Sequence, residues 1–566
     1  METKPISPPS ESKKSRRIYT LVAAGLLVFF TMLCVTGMRD KSPNRDAGSH
    51  LGRGIAILKR GDFRLSVAHP PLGNVISALP LLALPNLDVP FDHFSWEGHH
   101  KDPFWQELFQ RNRSMIGLGI FWSQLVTVGF SVLLGWLLYR CGREWFGLSA
   151  GLLALGLFVF DPNLLANAGQ VATDLFVTLG VFAAVLTWVR FIRRPGKGSL
   201  LLAALMLGIA NLTKFSAILL YPMHLLLLLG YPPAAPRLDP DHSPENGLPS
   251  SPPALSAAPL RKKLAAWMAA SLLSALVIWA GYGFEVKRVT EPMIRYAPEM
   301  KPLVEKIPLP LATYLEGLLF TQTNLRSGIS FFLGEVSRDG WWYFFPVLFV
   351  LKTPIPLLLL IAAAIPVLYR RGKRLELFIL LTPVFVFFLA AMLYVRRDMG
   401  LRYLLPVYPF LYLLVAGLWR EAFPKSPGRI LIWAGLLLWY AARTLQVHPH
   451  YLMYFNEFAG GPEGGWRYSI VSDDFGQDIK GLARYLKEKG IGKIYYTPFG
   501  SATPGYYGIE YEPVPCSEDT VKGWVAINAY YLQIPRDWDH PDCHTWLKKY
   551  EPVDKIGYSI FLYYFP

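Results

Sequence analysis

The chain has 566 residues, of which 52% are hydrophobic, and its formal net charge at pH 7 is +15. Apolar runs of about twenty residues recur, and each is long enough to cross a hydrocarbon core of roughly 30 Å, which excludes an ordinary soluble protein. Much of the positive charge lies in short clusters between these runs, where an anionic inner leaflet is the usual partner. No zinc-finger spacing or RNA-binding signature occurs, so we expect no nucleic-acid partner.

Hydropathy predicts eleven membrane-spanning helices. The run 199–231 is too long for one span at about 1.5 Å per residue and is broken only by Asn211, Thr213 and Lys214. We therefore divide it into two short helices with Lys214 at the turn. The predicted spans lie near 18–38, 113–139, 147–165, 172–192, 199–212, 215–231, 264–283, 341–369, 375–395, 403–420 and 429–447. The expected fold class is a mainly α-helical, polytopic membrane protein.

The distribution of lysine and arginine predicts the orientation of the spans, because cytoplasmic loops retain these residues. Four basic residues precede the first span and place the N-terminus in the cytoplasm: Lys13, Lys14, Arg16 and Arg17. The first span exceeds a typical signal-peptide core, and no small-residue cleavage site follows it. We therefore expect a multi-pass protein of the cytoplasmic membrane whose C-terminal region is extracytoplasmic.

One short loop, 395–402, breaks this charge rule. It should lie on the non-cytoplasmic side, yet it contains Arg396, Arg397 and Arg402. Every other basic cluster falls inside, Lys214 excepted. Arginines on the outer face indicate an anion bound at the outer edge of the membrane.

Three segments fall outside the predicted spans. The first outer loop, 39–112, is long enough for short helices on the membrane surface, and 232–260 has the composition of a disordered cytoplasmic linker. We divide the chain into a transmembrane domain (1–447) and a small extracytoplasmic α/β domain (448–566) with a helix at 478–489 and strands at 493–497, 524–531 and 556–564. Cys516 and Cys543 lie in this domain; a disulfide is chemically allowed there, and spacing alone leaves it open.

Two carboxylates are candidate catalytic groups. Asp46 and His50 share a face if their segment is helical, and Asp46 could then act as a general base toward a hydroxyl; the alternative is an N-cap aspartate. Asp174 stands at the outer start of the fourth span, where a carboxylate is costly and tends to be functional or paired. The alternative for Asp174 is stabilisation by the helix dipole.

The candidate cations are Lys214, Lys352 and Arg402, which could converge with the two carboxylates on a phosphate. Lys352 lies about ten residues into the eighth span, beside Pro354 and Pro356, which should bend that helix. His69, followed by two prolines, is either a substrate contact or a structural turn residue. No P-loop, Rossmann fingerprint, HExxH or GxSxG element occurs.

An ordered series of motifs makes the interpretation more specific. The chain resembles the bacterial branch of the protein O-mannosyltransferase and aminoarabinose transferase superfamily, polytopic enzymes of the GT-C fold that use polyprenyl-phosphate sugars. The resemblance runs from about 18 to 510. Its motifs are Asp46/His50, His69-Pro70-Pro71-Leu72, Ala172-Thr173-Asp174, Leu212-Thr213-Lys214-Phe215, Gly334-Glu335-Val336-Ser337-Arg338-Asp339-Gly340-Trp341-Trp342, Leu351-Lys352-Thr353-Pro354, Arg402-Tyr403-Leu404-Leu405-Pro406 and Tyr454-Phe455-Asn456-Glu457.

The chain departs from the family at the first acidic motif. The family often has Asp-Glu there, whereas this sequence has Asp46-Ala47. Asp46 keeps the usual offsets to His50 and Gly54, so the motif aligns on it, with Asp40 as a nearby competitor.

The resemblance implies an inverting single displacement by a mannosyltransferase-like hexosyl or pentosyl transferase. Asp46 would be the base, and Asp174 would orient the acceptor or the donor sugar. The donor phosphate would lie near Lys214, Lys352, Arg402 and Arg397, while His50, His69 and Glu335 would contact substrate. The partners would be the polyprenyl-phosphate sugar, membrane lipids and a protein, lipid or glycan acceptor. No cofactor is expected; a divalent metal would fit two carboxylates, but the cations could do the same work.

Two rival functions come from other classes. A flippase for a lipid-linked sugar would also use intramembrane cations, although no inverted repeat is visible and the acidic residues lie in outer loops. An inactive binding homologue would explain the missing second acidic residue.

Overall fold

The computed structural model describes residues 12–233, 255–288, 308–326, 328–423, 426–470, 473–500, 503–534 and 543–566. Most of the predicted linker 232–260 lies outside these ranges. The described chain is mainly helical. Its first twelve helices are α1 (Lys13–Arg39), α2 (Arg45–Arg60), α3 (Pro71–Ala78), α4 (Phe94–Glu97), α5 (Lys101–Arg111), α6 (Ile116–Phe146), α7 (Leu148–Val159), α8 (Pro162–Ala168), α9 (Asp174–Arg193), α10 (Lys197–Thr213), α11 (Leu220–Gly230) and α12 (Leu260–Gly281).

The second half of the chain holds nine further described helices and all nine described strands. The helices are α13 (Ala312–Arg326), α14 (Phe344–Lys352), α15 (Ile355–Arg370), α16 (Arg374–Tyr394), α17 (Tyr408–Glu421), α18 (Pro427–Gln446), α19 (Gly461–Gly465), α20 (Ile479–Lys489) and α21 (Ala529–Gln533). Short 3-10 turns include Phe215–Leu219, Leu401–Val407, Tyr451–Met453 and Glu457–Ala459. The strands are β1 (Val286–Lys287), β2 (Leu309–Pro310), β3 (Ser330–Phe332), β4 (Glu335–Ser337), β5 (Ile494–Thr497), β6 (Tyr511–Glu512), β7 (Gly523–Asn528), β8 (Asp554–Ile556) and β9 (Ile560–Phe565).

Six of the described helices are long and apolar enough to cross a membrane, and two bent pairs raise the number to eight. Each of the eleven predicted spans falls on helix. However, α10 and α11 have fewer than the 18 residues required of a spanning helix, and α18 is not among the six. The chain is thus a multi-pass membrane protein, and the count of eleven stays a prediction. Leucines on α12 and α18 are up to 71% exposed, which is stable only where lipid covers them. By contrast, α9 is mostly buried and lies at the centre of the bundle.

The bend predicted near Pro354 is present, and it is sharp enough to divide the predicted span 341–369 into two helices. These are α14 and α15, which meet at an angle of 114°. Proline removes backbone donors at this point, and the side-chain amide of Asn456 donates to the freed carbonyls of Val350 (2.5 Å) and Thr353 (2.8 Å). Lys352 is therefore the last residue of α14, not a mid-helix residue.

The segment 39–112, which the sequence assigns to the first outer loop, contains short helices, as predicted. In α2, an added Cβ at Gly48 would lie 2.1 Å from Nε1 of Trp105 on α5. At Gly54 it would lie 2.1 Å from the carbonyl oxygen of Asn74 on α3. These two glycines allow α3 and α5 to pack directly on α2, which fixes the helix that carries Asp46 and His50.

The C-terminal region contains the predicted small α/β unit. Its five strands have the order β6-β5-β7-β9-β8, with β5 parallel to both β6 and β7 and β7 antiparallel to β9. Helix α20 buries Ile479, Leu482 and Leu486. Two predicted strands need correction: 524–531 ends at Asn528, and 556–564 is the β8–β9 hairpin. Cys516 and Cys543 are disulfide-bonded.

Candidate active site

The site is built on α2, whose first turn begins at a conventional cap. The side chain of Asn44 accepts a hydrogen bond from the amide of Ala47 at 2.7 Å and is the N-cap. The alternative that Asp46 caps this helix is therefore wrong. Asp46 lies in the first turn, where the helix dipole favours a negative charge. Asp46 and His50 are both on this helix, so the condition for their sharing a face is met.

Asp46 forms an ion pair with Arg402. The Arg402 Nη1 donates to the Asp46 Oδ2 at 2.9 Å, and the two side chains remain 15% and 33% exposed. The guanidinium also lies 4.9 Å from the ring centroid of Phe475. Burial raises the pKa of Asp46, but the charge and hydrogen bond of Arg402 outweigh it and hold this pKa well below its ordinary range. Asp46 is therefore ionised at neutral pH.

Asp174 forms a second ion pair, with Lys214. The Nζ of Lys214 lies 2.6 Å from the Asp174 Oδ1, and both side chains are buried. Lys214 has an extended backbone at the break after α10, as predicted, and its Nζ lies 4.2 Å from the ring centroid of Tyr403. Since Tyr403 follows Arg402, the two ion pairs are neighbours. Arg402 also interacts electrostatically with Asp174.

Two neutral histidines lie beside the carboxylates. The His50 Nδ1 is 2.7 Å from the Asn74 Oδ1, and the rings of His50 and His69 are 4.8 Å apart. Asn74 donates to the Ser66 hydroxyl (3.2 Å), which donates to the His69 carbonyl (2.9 Å). Burial and the charge of Arg53 lower the pKa of His50 to about 4. Burial, with the positive charges of Arg53, Lys214 and Arg402, holds the pKa of His69 well below its usual value.

The sequence-based prediction missed two cations of this cluster, Arg53 and Lys101. Arg53 is buried on α2, one turn from His50, and its Nε donates to the carbonyl of Leu65 at 3.0 Å. Lys101 at the start of α5 pairs with Asp102 at 3.2 Å. For Arg53 a signal existed, because it lies seven residues after Asp46 and so on the same helix face. Lys101 had no such signal, since only packing brings α5 to α2.

Lys352 has a carboxylate partner of its own. It forms an enclosed ion pair with Asp473, and its Nζ also donates to the Leu452 carbonyl at 3.0 Å. The Ser469 hydroxyl donates to the other oxygen of Asp473 at 3.0 Å. Buried Asp398 lies close enough to interact with Lys352 and Arg402, and burial, together with the charge of Asp473, raises its pKa well above the usual value. Lys352 is thus adjacent to the Asp46 cluster through Asp398 and Arg402, but it is not a free cation.

Three other candidates lie apart from this cluster in the described structure. Arg397 is exposed, and its side chain packs near Gly328. Glu335 is exposed on the β3–β4 hairpin, opposite Phe332. Asp40, the competing base, pairs with Arg484 at 2.6 Å on the surface. Of the nine predicted site residues, six share the α2 cluster or its ion pairs, while Lys352 adjoins it and Arg397 and Glu335 do not reach it.

The cluster combines the elements of a charge-stabilised displacement. An ionised carboxylate can accept a proton, and two cations can stabilise negative charge on a departing group. Within the described ranges, no three His, Cys, Asp or Glu side chains are arranged to hold a metal ion. The expectation that no cofactor is needed stays a prediction.

Comparison with known proteins gives one family match. Residues 108–240, which include α6 to α11 with Asp174 and Lys214, match the family described as "Dolichyl-phosphate-mannose-protein mannosyltransferase". No curated protein matches the chain.

Two solved structures of ArnT from Cupriavidus metallidurans are similar to this chain. The one bound to undecaprenyl phosphate has 12% identity, a TM-score of 0.46 and coverage of 98% of each chain. The apo form has 13% identity, a TM-score of 0.47 and coverage of 97% of this chain and 98% of the other. The family match covers less than half of the sequence; over residues 108–240 the chain is similar to this mannosyltransferase family, in agreement with the resemblance indicated by the ordered motifs.

Proposed function

We propose that the chain transfers a sugar from a polyprenyl-phosphate donor to a hydroxyl acceptor on the outer face of the cytoplasmic membrane, with inversion at the anomeric carbon. The observation that carries the proposal is the neighbouring arrangement of two carboxylate–cation pairs, Asp46–Arg402 and Asp174–Lys214. One carboxylate is available as a base, and two cations are available for a phosphate. The mannosyltransferase family match over 108–240 supports the same reaction class.

The ion pair of Asp46 and Arg402 couples the two halves of the displacement. In the donor complex, Arg402 is shared between the Asp46 carboxylate and the donor phosphate. As the acceptor oxygen bonds to C1, the bond from C1 to the phosphate oxygen breaks, and its electron pair leaves with the polyprenyl phosphate. The growing phosphate charge draws Arg402 away from Asp46. The basicity of Asp46 therefore rises as the acceptor proton is transferred to it.

Lys214 and Asp174 have complementary roles in this mechanism. Lys214 stabilises the departing phosphate from the second side, and Asp174 holds the ammonium group in place and orients the acceptor or the donor sugar. His50 and His69, neutral at physiological pH, supply hydrogen bonds to the substrates without adding charge. Arg397 and Glu335 would need a rearrangement to reach the substrates, and Lys352 would need to leave Asp473.

The test is Asp46→Asn, which is nearly isosteric and removes the proton acceptor. Turnover should fall by about 100-fold or more, measured as release of polyprenyl phosphate by detergent-purified protein given donor and acceptor. A flippase gives no product in detergent, because there is no second leaflet. Asp40→Asn is the matched control and should retain activity, since Asp40 pairs on the surface with Arg484. If Asp40→Asn loses activity while Asp46→Asn keeps it in full, Asp46 is not the base.

The outward orientation has its own test. A topology reporter fused after Arg443 should be active only outside the cytoplasm, whereas one fused near Pro252 should be active only inside. The opposite result at either point would contradict the eleven-span topology and, with it, the outward-facing site.

A further inference from the structure

Arg53 is a buried arginine without a carboxylate partner among the described residues. It is 3% exposed, and its only side-chain hydrogen bond there joins its Nε to the Leu65 carbonyl at 3.0 Å. Every neighbouring cation is paired: Arg402 with Asp46, Lys214 with Asp174 and Lys101 with Asp102. These four cations and three carboxylates leave one positive charge, and Arg53 is the residue that carries it.

A buried, unpaired guanidinium is costly, because its charge has left water without gaining a partner. Burial lowers the pKa of Arg53 to about 10, even though Asp46 and Asp102 oppose the shift. Arg53 therefore stays protonated at neutral pH. With Nε occupied by Leu65, its two terminal nitrogens remain to donate, and a guanidinium binds the paired oxygens of a phosphate more strongly than it binds neutral groups.

A second unpartnered group lies in the same place. The Nδ1 of His69 is buried and has no hydrogen-bond partner in the part of the chain that the structure describes. His69 interacts electrostatically with Arg53, Lys214 and Arg402, so these three cations lie in its neighbourhood. A neutral imidazole can donate one hydrogen bond to an anion there without needing a counter-charge.

We propose that Arg53 and His69 bind the phosphate of the polyprenyl-phosphate donor, with Arg53 supplying the pair of charge-assisted hydrogen bonds. This inference rests on the proposed function, because it assumes a phosphate-linked donor. It adds a third cation, from α2, to the phosphate contacts of Lys214 and Arg402. Asp46 and Arg53 then lie on one helix face, so that a single rigid element sets the distance between the base and the leaving group.

The test measures binding of polyprenyl phosphate, without sugar, to the detergent-purified full chain by ligand-dependent thermal stabilisation. Arg53→Met should weaken this binding by about tenfold or more, and the melting temperature without ligand should not fall, because a buried unpaired charge has been removed. Arg60→Met is the matched control: Arg60 is exposed on the same helix and stacks on Phe91. It should bind as the unmodified chain does.

Arg53→Lys decides the case in which Arg53→Met fails to fold. Lysine keeps the charge and loses the paired donors, so weaker binding at an unchanged melting temperature supports the proposal. Unchanged affinity in either folded variant overturns it, as does stabilisation by inorganic phosphate alone equal to that by the lipid. If the chain binds polyprenyl phosphate through Arg53 but transfers no sugar, the proposed function fails while the phosphate site stands.

Discussion

Arg402 and Lys352 are two cations at neighbouring positions in the structure, but their carboxylate partners differ in accessibility. The Arg402–Asp46 pair is 15% and 33% exposed, whereas the Lys352–Asp473 pair is 4% and 3% exposed. An incoming phosphate can share Arg402 with Asp46. To reach Lys352 it must displace a carboxylate that is itself held by Ser469. The depth of a cation in an apolar span is thus not enough to identify it as a ligand-binding residue. Whether a ligand can reach it also depends on how accessible its carboxylate partner is.

The largest effect on stability is expected at the enclosed Lys352–Asp473 pair. Lys352→Met leaves Asp473 buried without a counter-charge, which should lower the free energy of unfolding by about 3–5 kcal/mol. Asp473→Asn, which leaves Lys352 unpaired, should lower the melting temperature in detergent to a similar degree. If Lys352→Met instead keeps its melting temperature and loses polyprenyl-phosphate binding, Lys352 is a phosphate ligand and the comparison with Arg402 fails.

A smaller effect on stability is expected from a substitution at the contact between α2 and α3. Gly54→Ala places a methyl group against the backbone carbonyl of Asn74, which cannot move without displacing α3. Overpacking of this kind costs about 1–3 kcal/mol, and activity should fall because Asp46 and His50 move with the helix. Gly25→Ala on α1, where nothing lies within 4 Å of the added atom, is the control for both thermal stability and turnover. Equal behaviour of the two variants would show that the position of α2 does not limit the site.

The smallest expected effect is a change in the pH dependence of activity when the Asp46–Arg402 pair is altered. Asp46 must be ionised to act as a base, so activity is present above its pKa and is lost as the pH falls through it. Arg402→Gln removes the charge that holds this pKa down, and burial, which raises it, is then unopposed. The acidic limb of the kcat/KM profile should therefore move to higher pH. An unmoved limb would show that Asp46 is not the group whose protonation ends activity.

Local features of the site were predictable from the sequence. The helix carrying Asp46 and His50, the turn at Lys214 and the bend near Pro354 follow from residue spacing and proline chemistry, and each is present. Arg53 could have been found in the same way, from its position on the Asp46 face. The partners could not: Arg402 lies 356 residues from Asp46, and Asp473 lies 121 residues from Lys352. Arg397 is close to Arg402 in sequence, yet the loop directs it to another surface.

The sequence by itself determined that this is a multi-pass helical membrane protein with a small C-terminal α/β unit, because hydropathy and periodicity are properties of consecutive residues. The order of its motifs also indicated the resemblance to the protein mannosyltransferases, which the family match over 108–240 supports. Only the tertiary structure decided which carboxylate neutralises which cation, and that Arg53 is the cation of the α2 cluster without a carboxylate partner among the described residues. Ion pairs depend on which segments the folded backbone brings within a few ångströms of one another, and residue spacing along the chain does not contain that information.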